Sequence, residues 1–356
     1  MNRLVILAPN WLGDAVMALP AIADVRRLAP GAEIAVAARP SIAPLFTMVA
    51  GVDRVLVLDA RAPLGTLAAQ VAQHRFDTAL LLPNSMRAAL LAARARIPER
   101  WGYRADLRGP LLTRAIDRPS GLHQAEYYQQ LVHALGFPNG LMEPRIVVPA
   151  TASDAGVRAL GEAGWNGDTT LVALAPGAAY GGAKRWLPES FAALAASFAA
   201  DGLQPVMIGS AADAGTAGEV ARAFEKIVGA GREGRTDRAR ADTGLQAGDT
   251  QLPRLLSLVG RTDLPALAGV LAHCRAIVTN DSGAMHLAAA VGTSVTAVFG
   301  PSDERATRPL GDAHTVVALP VWCRPCMLRE CPLDHACMRS LRVTAVAAVA
   351  RRSITT

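Results

Sequence analysis

The stretch Leu4-Val5-Ile6-Leu7-Ala8-Pro9-Asn10-Trp11-Leu12-Gly13-Asp14 decides the fold class. Its first five residues form a short apolar run, the pattern of a strand buried on both faces in a parallel sheet. Gly13-Asp14 breaks the run, and helical spacing follows over 15–28. The unit then recurs, with strands read at Glu33 to Ala37, Arg54 to Leu58 and Thr78 to Leu82. Strand, loop and helix repeated at this spacing predict an α/β fold, a parallel sheet with helices on both faces.

Over 143–153 the order loosens, with Pro144, Pro149 and a Thr-Ala-Ser segment, and a domain boundary is placed there. The alternation restarts with a strand at Leu171 to Ala175, a Pro176-Gly177 turn and a helix from Pro188 to Asp201. Strands at Pro205 to Ile208, Ala276 to Thr279 and Ser294 to Phe299 follow. Two α/β halves, 1–150 and 151–356, predict two Rossmann-like domains facing a central cleft, with ligands outside the carboxyl ends of the strands. The length of 356 residues agrees with two domains at roughly 150 residues each. Gly229 to Gln251 stands apart, with five glycines and four arginines balanced by four acids. It reads as a flexible surface insertion rather than a basic nucleic-acid arm.

Hydrophobic residues make up 51% of the chain and charged residues 19%, which excludes a disordered or collagen-like protein. No apolar run reaches the roughly 18 residues of a membrane span. The run after Asn2-Arg3 is too short for a signal peptide, and the chain reads as cytoplasmic. The net charge of +6, nearly all from arginine, fits an anionic partner. Aromatics at 4% argue against single-stranded nucleic acid, whose bases stack on aromatic rings.

Three loops carry candidate chemistry. Asn10 to Asp14 opens the first helix, where Asp14 is either a helix cap or a general base for an acceptor hydroxyl. The loop Ala175 to Trp186 is rich in small residues, so its N–H groups could face an anion beside Lys184 and Arg185. The turn Thr279-Asn280-Asp281-Ser282-Gly283-Ala284-Met285-His286 begins another helix, as a cap or as a phosphate cradle. Two such cradles in one domain point to a nucleotide diphosphate. Neither carries the closely spaced acidic pair that usually holds a phosphate-bound metal. Cys323, Cys326, Cys331 and Cys337, with His335 among them, stand apart from the lone Cys274. They could hold structural zinc or an iron–sulfur centre, or be only a cysteine-rich surface loop.

With these motifs the chain resembles the lipopolysaccharide heptosyltransferases, ADP-heptose-dependent enzymes of glycosyltransferase family 9. The resembling segments are APNWLGDAVMALPA, LLLPNSMRAALL, RWGYR, APGAAYGGAKRW and TNDSGAMHLAAAVGTSVTAVFGPS, spread over 8–302. The resemblance implies a GT-B architecture and an inverting, metal-independent transfer of heptose from ADP-heptose to the inner core of lipopolysaccharide, most nearly of the second heptose onto the first. It implies no cofactor. Asp14 matches the family's base, and Lys184 its diphosphate-binding lysine. Asp281, Ser282 and Gly283, with Met285 and His286, match its second phosphate turn. Asp213 and Glu219 are the candidates for the ribose. Asn10, Trp11, Asn84, Ser85, Arg87 and Arg104 are the candidates for a lipid A–Kdo–heptose acceptor at the inner membrane surface. Arg94, Arg96, Arg100 and Arg108 are read mostly as a solvated face. A monomer, peripherally bound at the inner membrane without nucleic acid, is expected. Heptosyltransferases I and III fit the same motifs. A UDP-sugar 2-epimerase is disfavoured by the turn at 280–286 combined with Asn10 to Asp14. A basic nucleic-acid-binding protein with a zinc tail would leave both phosphate turns unexplained.

Overall fold

The computed structural model describes residues 1–242 and 254–355. They divide into two compact units, Met1–Pro149 with Arg305–Leu310, and Ala150–Glu304 with Gly311–Thr356.

The first unit is built on six parallel strands: β1 (Arg3–Leu7), β2 (Glu33–Ala38), β3 (Arg54–Val57), β4 (Thr78–Leu81), β5 (Glu99–Tyr103) and β6 (Arg114–Ile116), in the order β3-β2-β1-β4-β5-β6. Leu4, Val5 and Ile6 of β1 are fully buried, as a central strand covered on both faces requires. One face of the sheet, with Val5, Leu7, Ala35, Ala79 and Leu81, packs on Leu67 and Val71 of helix Leu64–Ala72 and Leu91 of helix Met86–Arg94. The helix expected over 15–28 is two helices, Leu12–Met17 and Leu19–Leu28. Pro20 falls in the first turn of the second, where a missing N–H costs no hydrogen bond.

Arg305–Leu310 joins this unit from far along the chain. The buried ring of His123 meets it: Nδ1 accepts from the Ala125 N–H, so Nε2 carries the proton and donates to the Arg308 carbonyl at 3.0 Å. Burial pushes this histidine below its ordinary range, in keeping with the neutral ring that both bonds need.

The second unit repeats the plan with β7 (Leu171–Ala175), β8 (Gln204–Met207), β9 (Leu256–Ser257), β10 (Cys274–Asn280), β11 (Ser294–Phe299) and β12 (His314–Ala318). The order β12-β11-β10-β7-β8-β9, taken from its other edge, is that of the first sheet, again all parallel. Val172, Leu174, Val278 and Val298 pack against Phe191, Leu194 and Phe198 of helix Pro188–Ala200 and Val346 and Ala350 of helix Val343–Thr355.

Two expectations need correction here. The Thr-Ala-Ser segment is no loose linker but the start of helix Ala150–Glu162. The segment read as a flexible insertion begins inside helix Ala214–Asp242. Its 229–242 part has no proline to stop the helix; 243–251 lies outside the described residues.

Helix Ala150–Glu162 crosses helix Leu264–His273 backbone to backbone at Gly156 and Gly269. A Cβ on Gly156 would stand 2.5 Å from the Gly269 carbonyl carbon and the Val270 nitrogen. Gly156→Ala is therefore expected to destabilise the second unit by about 1–3 kcal/mol, the usual cost of overpacking. A lowered urea midpoint with an unchanged slope checks it.

Candidate active site

Each sheet reverses its strand order once, between β1 and β4 in the first unit and between β7 and β10 in the second. Loops leaving the carboxyl ends of such a pair run to opposite faces and open a crevice. Asn10 to Asp14 follows β1, and Asn84 to Arg87 follows β4. Lys184 follows β7, and Asp281 to His286 follows β10. Both main groups of candidates therefore sit at reversal points. Arg104 follows β5, and Asp213 and Glu219 follow β8.

In the first unit, Asp14 is not the helix cap. Trp11 holds that position and makes no side-chain capping bond, while Asp14 lies half-buried in the first turn. There the helix dipole favours its negative charge. The buried Tyr128 lies within its field: burial, and then the charge of Asp14, push the phenol well above its ordinary range. Trp11 and Asn10 are exposed.

Ser85 caps helix Met86–Arg94 through the Ala88 N–H, and Arg87 donates to the carbonyls of Ala60 and Ala62. Arg104 pairs with Asp117 at 3.7 Å, with both side chains exposed, an ion pair of little strength. Arg108 departs from the expected solvated face. Its guanidinium is fully buried and donates to the carbonyls of Tyr103 and Pro83 and to Asn84 Oδ1. Asn84 in turn donates to the Tyr127 hydroxyl at 2.8 Å. Arg100 is likewise tied to the carbonyls of Leu111 and Ile97.

In the second unit, Lys184 Nζ lies 2.5 Å from Asp281 Oδ2, which also accepts from Ser302 Oγ at 2.5 Å. The pair is nearly closed to solvent, with side chains 15% and 5% exposed. Ser302, in the loop after β11, was not among the candidates expected from sequence; its place at the end of the FGPS run was the available signal. The neighbouring Asn280 is fully buried. Its Oδ1 accepts from the Trp186 N–H at 2.9 Å and its Nδ2 donates to the Pro176 carbonyl at 2.8 Å. Ser282 stands at the cap of helix Gly283–Val291 without a side-chain capping bond, and Asp281 does not serve as the cap either. Met285 and His286 are buried beneath the turn.

At its far end, the loop after β7 is not the open cradle its small residues suggest. The N–H groups of Gly182 and Ala183 are taken by Glu330 and by the Arg329 carbonyl, and that of Trp186 by Asn280. At this end of the loop, what is left to face an anion is the Lys184 side chain. Arg185 stands beside it, its guanidinium held only by long contacts to Thr216 and Ala178, with Nε buried and unpaired. Asp213 accepts from the N–H and hydroxyl of Ser210 and packs against Gly177, where a Cβ would overlap its carboxylate. Glu219 is exposed on helix Ala214–Asp242. None of the five cysteines is in a disulfide. Among the described residues, no three His, Cys, Asp or Glu side chains converge as a metal site.

The sequence model of glycosyltransferase family 9 (heptosyltransferase) matches residues 64–337. The chain belongs to this family. It is 29% identical to lipopolysaccharide heptosyltransferase 2 of Salmonella typhimurium over 338 residues, 89% of this chain and 88% of that one. The lipooligosaccharide heptosyltransferase 2 of Haemophilus influenzae is 26% identical over 333 residues, with the same coverage. The solved structure of Escherichia coli ADP-heptose lipopolysaccharide heptosyltransferase II superposes with a TM-score of 0.79 at 26% identity, covering 100% of this chain and 99% of that one. The family 9 enzyme thus has the α/β GT-B fold expected from its sequence, with two parallel six-stranded sheets.

Asn280 generates a prediction for this enzyme. Asn280→Ala leaves the buried Trp186 N–H and Pro176 carbonyl without their partner, at about 1–3 kcal/mol for each unsatisfied group. A lower thermal midpoint and faster hydrogen exchange at the Trp186 amide are expected.

Proposed function

We propose that this family 9 enzyme transfers heptose from ADP-heptose to the inner core of lipopolysaccharide, adding the second heptose to the first. The observation that carries the reading is the Lys184–Asp281 pair at the reversal point of the second sheet, beside the uncapped start of helix Gly283–Val291. A cation and a helix N-terminus together suit a diphosphate. Matches to heptosyltransferases 2 over most of their length support the choice of sugar and of acceptor.

In this reading the second unit holds the donor and the first the acceptor. Asp14 takes the proton from the acceptor hydroxyl as its oxygen attacks the anomeric carbon from the face opposite ADP, so the configuration inverts. The bond from that carbon to the diphosphate oxygen breaks, and negative charge collects on ADP. Lys184 and the N–H groups at Ser282 and Gly283 stabilise that charge. Lys184 exchanges some of its bond to Asp281 for the phosphate, while Ser302 keeps Asp281 in place. Met285 and His286 support the turn from beneath, and Asp213 and Glu219 serve the ribose. Asn10, Trp11, Asn84, Ser85, Arg87 and Arg104 meet the acceptor, whose anionic groups suit the two arginines. The lipid-anchored acceptor places the work at the cytoplasmic face of the inner membrane. Among the described residues no helix is long and apolar enough to cross that membrane, and the net charge of +6 suits a peripheral contact with anionic lipid.

Incubation with ADP-heptose and defined core acceptors, read by mass spectrometry, tests the reading. One heptose added to a Kdo–lipid A acceptor that already carries a first heptose supports it; transfer only to the acceptor lacking that heptose assigns the earlier step instead.

Asp14→Asn is expected to lower turnover by about 10²- to 10⁴-fold, the usual contribution of a general base, with ADP affinity unchanged by calorimetry. Lys184→Ala is expected to weaken ADP binding and to lower turnover further, because leaving-group charge peaks in the transition state. EDTA is expected to leave the initial rate unchanged, since the cation facing the diphosphate is a lysine; immediate arrest restored by magnesium would exclude this account.

A further inference from the structure

The cysteine-bearing segment near the carboxyl end contributes nothing to the mechanism above, yet the structure lays it along the Lys184 loop. The Tyr180 hydroxyl donates to the Met327 carbonyl at 2.9 Å. The Gly182 N–H donates to Glu330 Oε1 at 2.9 Å, and the Ala183 N–H to the Arg329 carbonyl at 2.9 Å. His335 Nε2 donates to the Ala183 carbonyl at 2.8 Å. The Tyr180 ring also meets two cations, with Lys184 Nζ 4.9 Å and the Arg329 guanidinium 5.2 Å from its centre.

The contacts converge on one element, the single 3₁₀ turn Gly182–Lys184 that ends in the lysine. A lone turn of this kind has poor internal hydrogen bonds and a costly nucleus, so it does not hold its own shape. Its internal bonds, Lys184 N–H to the Gly181 carbonyl and Arg185 N–H to the Gly182 carbonyl, measure 3.3 and 3.0 Å. The N–H groups of Gly182 and Ala183, left over at its start, are those that Glu330 and Arg329 accept. The close approach also explains Gly181, which faces backbone, while Gly182 faces the Glu330 carboxylate. A Cβ on Gly181 would overlap the Arg329 carbonyl, and one on Gly182 would stand 2.6 Å from Glu330 Oε2.

We propose that Glu330 is a positioning residue for Lys184, fixing through the Gly182 N–H the turn that aims the lysine at the leaving diphosphate. The proposal rests on the reading of Lys184 given above. The Glu330 side chain is exposed, so truncating it spares the core.

The test measures ADP affinity by calorimetry, and kcat and KM for ADP-heptose, in the full chain and in four variants: Glu330→Ala, Glu330→Gln, Lys184→Ala and the double variant Glu330→Ala/Lys184→Ala. Loss of one such hydrogen bond should weaken ADP binding about three- to tenfold in Glu330→Ala, with kcat falling more than affinity. Glu330→Gln keeps an acceptor oxygen and should recover most of both. If Glu330 acts through Lys184, the double variant will be no worse than Lys184→Ala alone. Additive losses in the double variant would overturn the proposal. So would ADP binding in Glu330→Ala that is unchanged or tighter, the latter marking the carboxylate as a stand-in that phosphate displaces. If Lys184→Ala itself leaves affinity and kcat unchanged, the diphosphate reading fails; if only Glu330→Ala is silent, the positioning role alone fails.

Discussion

The buried amide of Asn280 is the contact on which the second unit's site depends. It lies at the end of β10, and its two polar ends bond the backbone at Pro176 and Trp186, on either side of the long loop after β7. Neither end reaches water, so each bond is costly to break. The amide thereby sets where the loop leaves the sheet and where it returns. Lys184 lies between those points, and Asp281 is the next residue along from Asn280. A neutral, fully satisfied group brings the two charges to 2.5 Å.

The ion pair that results is a device for geometry more than for stability. Two charges this far from solvent lose much of their hydration, and their attraction does little more than offset that loss. The surrounding bonds fix which way they point. The buried Ser302 donates to Asp281, and Arg324 ties the same loop through the carbonyls of Gly300 and Ser302 and the Glu304 carboxylate. Loops after β7, β10 and β11 are drawn together at the carboxyl ends of adjacent strands.

The first unit solves a similar problem with a buried cation. Arg108 joins the ends of β4 and β5 through Pro83, Asn84 and Tyr103, and Gly102 leaves room for its guanidinium. Asn84 therefore belongs to an internal network as well as to the candidate acceptor surface, and Ser85 spends its hydroxyl on a helix cap. Arg87 and Arg104 keep exposed side chains. From sequence spacing these arginines look alike, because arginine count and position say nothing of which guanidinium finds enough carbonyls to be buried.

The central strands were legible without a structure because strands covered on both faces carry unbroken apolar runs: Leu171–Ala175 and Ser294–Phe299 have the bounds read from sequence. The glycine-containing turns at 177–182 and at 283 marked the candidate site residues beside them. Strands β5, β6, β9 and β12 escaped that reading. They lie toward the sheet edges, where polar residues and short lengths blur the pattern, as in Glu99-Arg100-Trp101-Gly102-Tyr103. The candidate side chains Asp14, Lys184 and Asp281 were legible in local sequence. What they touch was decided only by the tertiary structure: the pairing of Lys184 with Asp281 across 97 positions, the burial of Arg108, and the Cys323–Cys337 segment laid along the lysine loop. Such contacts depend on which loops the strand order brings together, and one-dimensional spacing carries no trace of that.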